Sequence, residues 1–405
     1  MKKLPAYPVY LTISGVQGFL FWLVVTVSLV YHATVVGMNP LQLVLVGSVL
    51  ELSIFIFEIP TGVMADAYSR RRSVIIGYAL IGLGFIVEGA FPRFETVLLA
   101  QVIWGVGFTF TSGAKEAWIS EEIGEQKAGR AFLRGVQVGQ ATALLGMAVS
   151  VALASIQLNV PILVGGGLFF FLVAFLLLFM PETDFKKVST DKLKLWASTK
   201  ATFIQGLRVV RSKRVLMLIF IIVGIYSMTT ETFDRLWTRH VLDIGLPDLG
   251  GLDSVVWFGL INATSMILGI IVTEWVKRRV DTNTHEKVAK GLFIINMLVA
   301  LGIVLFALST EFWWAILAFW IPMSLRGNIE PLVQAWVNQS TRPEVRATVF
   351  SMQSQSFSLG QVFGGPILGQ IGNVVSVSFA IMISGVLMIL MIPFYLMSLK
   401  FKQEK

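Results

Sequence analysis

Residues 160–180 read Val160-Pro-Ile-Leu-Val-Gly-Gly-Gly-Leu-Phe-Phe-Phe-Leu-Val-Ala-Phe-Leu-Leu-Leu-Phe-Met180, a run without one charged side chain. A helix of this length reaches across the hydrocarbon core of a bilayer, about 30 Å. Outward from it lie comparable apolar runs near 7–36, 41–64, 74–91, 97–118, 131–156, 215–238, 254–276, 288–309, 312–337, 347–371 and 374–399. The composition agrees: of 405 residues 55% are hydrophobic and 14% charged, with a mean hydropathy of +0.77. A soluble domain carries about 25% charged residues, so this chain cannot coat two or three soluble domains. The reading is an all-α polytopic membrane protein with twelve transmembrane helices. The chain contains no Cys, and His32, His240 and His285 are widely separated, so no metal or resident cofactor is expected. The start, Met1-Lys2-Lys3-Leu4-Pro5, lacks a signal-peptide cleavage region, so the first apolar run is expected to remain as a span.

Orientation follows the basic residues. Only Arg93, Lys115, Arg235, Arg239 and Arg326 fall away from the ends expected on one side, leaving 27 of the 32 Lys and Arg there. Both termini are therefore expected in the cytoplasm. The formal charge of +8 is spread as a collar near the membrane rather than gathered with aromatic readers, which argues against nucleic acid. The polar stretch 182–214 carries nine Lys and Arg and reads as a cytoplasmic linker with an amphipathic segment around Leu193–Leu207. It separates an N-terminal six-helix bundle, 1–181, from a C-terminal one, 215–405.

The two halves share a faint repeat. Gly113-x-x-Glu116 and Arg130-Ala131-x5-Gln137 match Gly327-x-x-Glu330 and Arg346-Ala347-x5-Gln353. Asp66 precedes Arg70 and Arg71 at the offsets by which Glu274 precedes Arg278 and Arg279. Parallel duplication of a six-helix unit explains both, giving two pseudo-symmetric halves.

The segment Gly62-Val-Met-Ala-Asp66-Ala-Tyr-Ser69-Arg70-Arg71-Arg72 resembles the signature loop of the major facilitator superfamily, Gly-x-x-x-Asp-x-x-Gly-Arg-Arg. Ser69 replaces the second Gly, a change expected to tighten the turn. The resemblance implies the major facilitator fold and a gating role for Gly62, Asp66, Arg70 and Arg71. It implies that Asp66 docks on the helix starting near Arg346 when the cytoplasmic side closes, with Arg70 and Arg71 pairing with nearby carboxylates. For the arginines, a plain topology signal is the competing reading. Glu58-Ile-Pro60-Thr-Gly62 and Ser112-Gly113-Ala-Lys-Glu116-Ala-Trp118 look like a group of bacterial efflux-type facilitators. Gln101 stands where drug–proton antiporters of the family carry an Arg. The glycine-rich Gly360-x3-Gly364-Gly365-Pro366 lies in the eleventh span, whereas the fifth has no Gly-Pro pair.

An ionised side chain at bilayer depth costs at least ~2.5 kcal/mol, so each is paired or serves transport. Glu51 and Glu58 are seven apart and share a helical face with Ser48, Phe55 and Gly62. Each is a candidate proton-coupling acid or hydrogen-bonded glue. Glu231 and Asp234 join the candidates, with Arg235 near them at an expected solvated gate. Arg326 and Glu330 have i,i+4 spacing and are expected to pair. Glu88 is expected to snorkel, Lys115 and Glu116 to make inter-helix pairs, and Trp237, Trp313 and Trp314 to form an interfacial belt. Gln17, Phe55, Trp104, Gln137, Tyr226, Asn262, Trp320, Arg326 and Gln353 are candidates for a mixed cavity, which suits an amphiphilic substrate.

With no clustered nucleophile–base set and no Walker A loop, neither an enzyme nor an ATP-driven pump is expected. The expected function is secondary active transport by alternating access in a bacterial plasma membrane. Proton-coupled export of a lipophilic or amphiphilic compound, as in multidrug antiporters, is the leading reading. Metabolite uptake, proton-independent facilitation and lipid handling remain the alternatives. The expected partners are a small-molecule substrate and membrane lipids, the chain acting as a monomer and the proton gradient as its energy source.

Overall fold

The computed structural model describes residues 3–183, 204, 207–248, 253–341 and 343–400. Most of the expected linker and its amphipathic segment fall outside these residues. Helix makes up 88% of the structure, and no strand occurs among the described residues. The helices are α1 (Ala6–Thr34), α2 (Pro40–Tyr68), α3 (Arg70–Ala90), α4 (Phe94–Thr111), α5 (Ala114–Ile123), α6 (Glu125–Ala154) and α7 (Val160–Phe179). They continue with α8 (Arg214–Ile244), α9 (Ser254–Arg279), α10 (His285–Leu308), α11 (Phe312–Arg326) and α12 (Ile329–Ser340). The last three are α13 (Pro343–Val374), α14 (Val377–Leu387) and α15 (Ile392–Lys400).

Among the described residues ten helical stretches are long and apolar enough to cross a membrane: α1, α2, α3, α4 with α5, α6, α7, α8, α9, α10, and α14 with α15. The chain is a multi-pass membrane protein. Two of the expected uninterrupted spans are broken at a glycine. The run 97–118 divides at Ser112–Gly113, where Gly113 takes φ +71°, a left-handed conformation that favours glycine. The run 312–337 divides at Gly327–Asn328, so α11 holds only 15 residues.

The helices gather into two compact units. The first holds α1, α2 from Val49 onward, α3 to α7, and the start of α9 through Leu260. The second holds the first turns of α2 through Ser48, α8, the rest of α9, and α10 to α15. In the first unit α1 and α6 meet backbone to backbone. A Cβ on Gly18 would strike the Gly139 backbone, and one on Gly146 the Phe19 carbonyl. Across the same seam Thr142 Oγ1 donates to the Gly15 carbonyl (2.7 Å) and Ser150 Oγ to the Leu23 carbonyl (2.6 Å). Small residues let helices in lipid gain close contact where no hydrophobic driving force acts between them.

Gly18→Val is expected to push α1 from α6 and lower stability by about 1–3 kcal/mol. Gly167→Val, where nothing lies within 4 Å, should change it by less than about 0.5 kcal/mol. Thermal unfolding midpoints of the purified proteins check the contrast.

In the second unit the core is aromatic. Phe233, Phe306 and Phe319 pack with centroids 5.5–5.8 Å apart, and Trp336 stacks on Tyr395 at 6.0 Å. Trp237 belongs to this core, 4.4 Å from the Phe319 ring. It is 5% exposed, which corrects the interfacial role expected for it. Trp313 and Trp314 are exposed at the start of α11, the position of an interfacial pair.

Candidate functional site

The second unit builds a charged cluster along α8. Its Tyr226, Glu231, Asp234 and Arg235 share a polar stretch with Thr229, Thr230 and Thr232. Arg326 closes α11 and reaches this face. Its two terminal nitrogens grip the Asp234 carboxylate bidentately, Nη2 to Oδ2 at 2.6 Å, while Nε donates to Tyr226 Oη at 3.2 Å. The planar fork of an arginine matches a carboxylate in this way, and a lysine does not.

One turn earlier, Glu231 is buried. It accepts from Arg235 Nε at 2.8 Å and from Gln361 Nε2 of α13 at 2.9 Å. Ser48 Oγ of α2 donates to the Gln361 carbonyl at 3.4 Å. A side chain at Gly47 would collide with the Glu231 carboxylate and the Arg235 guanidinium, so that glycine makes room for the pair.

Two expectations change here. Arg326 does not pair with Glu330. The break at Gly327–Asn328 destroys the i,i+4 register, and the exposed Glu330 accepts from Gln334 instead (3.1 Å). Glu231 is not solvated, since it is 2% exposed. The Glu231–Arg235 pair itself forms as its spacing requires.

In the first unit the loop joining α2 to α3 is organised by Glu182. Ser69 caps α3, accepting from the Arg72 N–H at 3.0 Å and donating to both Glu182 oxygens at 2.7 and 2.9 Å. The Arg71 N–H donates to Glu182 Oε1 at 3.0 Å. Ser69 has φ −179°, ordinary extended backbone, so the replaced glycine tightens nothing; the serine adds a cap. Arg70 pairs with Asp66 (3.3 Å) and Glu121 (3.1 Å), as expected. The Arg71 side chain departs from expectation. It donates to the Leu177 carbonyl at 2.7 Å, satisfying an orphan acceptor at the end of α7. Half of the Asp66 side chain is exposed.

Ser69→Ala is expected to cost about 0.5–2 kcal/mol through loss of the cap. A lowered unfolding midpoint with unchanged helicity is the measurement.

Two further polar clusters lie in the apolar interior of this unit. Glu88 accepts from Gln101 Nε2 at 3.0 Å and lies 2.9 Å from His32 Nε2. Tyr31 Oη donates to the Glu88 carbonyl at 3.0 Å. Glu88, His32 and Gln101 are each at most 3% exposed, so Glu88 does not snorkel. A glutamate stem is too short to reach water past two neighbouring helices that already supply partners. Gln17 accepts from Tyr78 Oη (2.9 Å) and Lys115 Nζ (3.1 Å). Lys115 also lies 3.3 Å from Glu116, a pairing of chain neighbours rather than of two helices.

Residues 11–352 match the family model of the Major Facilitator Superfamily. The chain belongs to that superfamily. It is therefore a secondary transporter and not an enzyme. The superfamily's MFS-type transporter YxaM of Bacillus subtilis strain 168 is 24% identical over 388 residues, covering 90% of this chain and 89% of YxaM. Multidrug resistance protein Stp of Mycobacterium tuberculosis is 33% identical over 111 residues, 27% of this chain and 20% of Stp. The crystal structure of nucleoside transporter NupG superimposes with a TM-score of 0.78 at 17% identity, covering 98% of this chain and all of that one.

Of the expected cavity set of this superfamily member, Gln17, Phe55, Trp104 and Gln137 lie in the first unit, and Tyr226, Asn262, Trp320, Arg326 and Gln353 in the second. The structure brings Tyr226 and Arg326 into one cluster with Asp234. Trp104 packs between Phe21 (6.2 Å) and Phe85 (5.8 Å), and Trp320 Nε1 points to the Ile261 carbonyl at 3.4 Å. Gln137 is exposed and accepts from Arg134 (3.1 Å). Phe55 and Asn262 are half-buried, and Gln353 is half-buried with its Oε1 enclosed. On α2, Glu51 and Glu58 are half-buried. Sequence reasoning missed the Glu88 cluster and the Ser69–Glu182 cap. The signals were there: an acid, a histidine and a glutamine each isolated in an apolar run.

Proposed function

We propose that this superfamily member exports lipophilic or amphiphilic small molecules in exchange for protons. In this reading twelve transmembrane helices form two pseudo-symmetric six-helix halves, 1–181 and 215–405, joined by the cytoplasmic linker 182–214. The chain works as a monomer in a bacterial plasma membrane with both termini inside, needing no cofactor beyond the proton gradient. The observation that carries the reading is Arg326, at the end of α11, held between Asp234 and Tyr226 of α8, a helix long and apolar enough to span a membrane. Charges at that depth are costly unless a transport cycle uses them. Protonation of Asp234 removes the anionic partner and leaves Arg326 bound to Tyr226 alone, giving two arrangements of one cluster. Glu231, Glu51 and Glu58 are the other acids able to carry the proton. Gly62, Asp66, Arg70 and Arg71 form the gating loop, with Arg70 able to exchange Asp66 for Glu121. The partial likeness to Stp favours export, and the aromatic residues expected to line a cavity favour an amphiphilic substrate.

The test is a panel of labelled amphiphiles, nucleosides and sugars offered to everted vesicles with an imposed proton gradient. Amphiphile uptake that stops when the gradient is collapsed is expected. Accumulation of nucleoside or sugar alone, or uptake indifferent to the gradient, overturns the reading. In intact cells, single Cys residues at Gly37, Asn159 and Asn373 should react with an impermeant reagent, and those at Ser189 and Thr282 only after permeabilisation.

A further inference from the structure

Where α1 and α6 begin, the first unit holds a pocket of about 1050 Å³. Lys3, Tyr7, Lys127 and Arg130 line it, with Glu122 as the one acid among its lining residues. That acid accepts from the N–H (2.6 Å) and hydroxyl (2.8 Å) of Thr183, which also lines the pocket. Against this one carboxylate stand three cations, of which Lys3 donates to the Leu177 carbonyl at 3.1 Å, so the lining is net positive. The level is set by the sequence. Lys3 precedes the apolar part of α1, and Glu125-Gln-Lys127-Ala-Gly-Arg130 precedes that of α6, so the pocket sits where headgroups meet water.

Deeper along the same helices runs a second cavity of about 730 Å³. Leu11, Phe19, Val138, Phe171 and Phe175 line it, and Phe171 is 74% exposed, so the groove opens outward. The two cavities share a seam. Tyr7 and Leu11 are one turn apart on α1, about 6 Å along its axis, and Ala131 and Val138 two turns apart on one face of α6. A cationic pocket at headgroup level, continued inward by an apolar groove, has the shape and polarity of an anionic lipid.

We propose that this seam binds an anionic glycerophospholipid, its phosphate against Lys3, Lys127 and Arg130 and one acyl chain along the groove between α1, α6 and α7. A lysine or arginine near an anionic headgroup adds to binding through its charge, and three act together here. The site is separate from the Asp234–Arg326 cluster and does not depend on the direction of transport.

Native mass spectrometry of the full-length protein in detergent, titrated with defined lipids, tests it. The wild type is expected to retain phosphatidylglycerol about tenfold better than phosphatidylcholine of the same chains. Lys127→Ala with Arg130→Ala should erase that preference, whereas Lys277→Ala with Arg278→Ala, at the end of α9, should keep it. Dihexanoyl phosphatidylglycerol should bind the wild type more weakly than the long-chain lipid, a comparison that needs no variant to fold. Millimolar inorganic phosphate should not displace the long-chain lipid. Equal retention of the two headgroups, or a preference that survives the Lys127–Arg130 substitution, overturns the proposal. So does displacement by phosphate, which would make the pocket a site for free anions.

Discussion

Arg326→Ala is expected to abolish gradient-driven accumulation and to lower the unfolding free energy by about 3–5 kcal/mol, because Asp234 is left as an uncompensated charge. Asp234→Asn should strand the guanidinium and lose transport as well. The double variant Asp234→Asn with Arg326→Ala removes both charges, so it should regain much of the stability and none of the transport. The coupling measured by that cycle is expected at about 0.5–3 kcal/mol. Arg326→Lys is not conservative here. A point charge on a flexible stem cannot hold both Asp234 oxygens and the Tyr226 hydroxyl together. Thermal unfolding and vesicle accumulation, measured on the same preparations, decide the matter. A double variant that accumulates substrate at the wild-type rate would make the pair structural glue. Single variants of unchanged stability would mean that the pair contributes nothing to the fold.

Glu88→Ala is expected to have an effect of similar size on stability and a different one on function. Removing the carboxylate leaves His32 Nε2 and Gln101 Nε2 without the acceptor they now face, on side chains at most 3% exposed. Each buried polar group left unpaired costs about 1–3 kcal/mol. Glu88→Gln keeps one carbonyl acceptor and should lose less. In both variants transport per folded molecule should stay near the wild-type value, since the cluster ties α1, α3 and α4 of one unit. If Glu88→Gln folds normally yet fails to accumulate substrate, Glu88 belongs to the coupling machinery instead.

The comparison of Arg326 with Glu231 shows why one pairing was legible and the other was not. Glu231 and Arg235 sit four apart in an unbroken helix, where spacing alone brings side chains together. Arg326 and Glu330 have the same spacing, but Gly327 and Asn328 end one helix and begin another. A periodicity argument assumes the helix continues, and a glycine inside an apolar run does not announce whether it packs or breaks. Asp234, 92 residues from Arg326, was legible as a charge needing a partner but not as this partner.

Ser69 and Gln101 teach the same lesson from the side of the family pattern. Each departs from the motif it resembles, and the departure alone reads as a loss. In the fold Ser69 caps α3 and holds Glu182, and Gln101 donates to Glu88. Their partners, Glu182 and Glu88, come from other segments of the chain.

The sequence by itself determined the class of this protein, its helices and the loop that marks its superfamily, because long apolar runs and a local motif are properties of neighbouring residues. It also established that Glu51, Glu88, Glu231, Asp234 and Arg326 each need an answer to burial, since the cost of an ion in lipid depends on depth alone. Only the tertiary structure decided which answer each of Glu88, Glu231, Asp234 and Arg326 received. A hydrogen-bonding partner is chosen by which helix faces pack together, and that choice rests on contacts such as Gly18 against Gly139 and Gly47 beside Glu231, made by residues far apart in the chain.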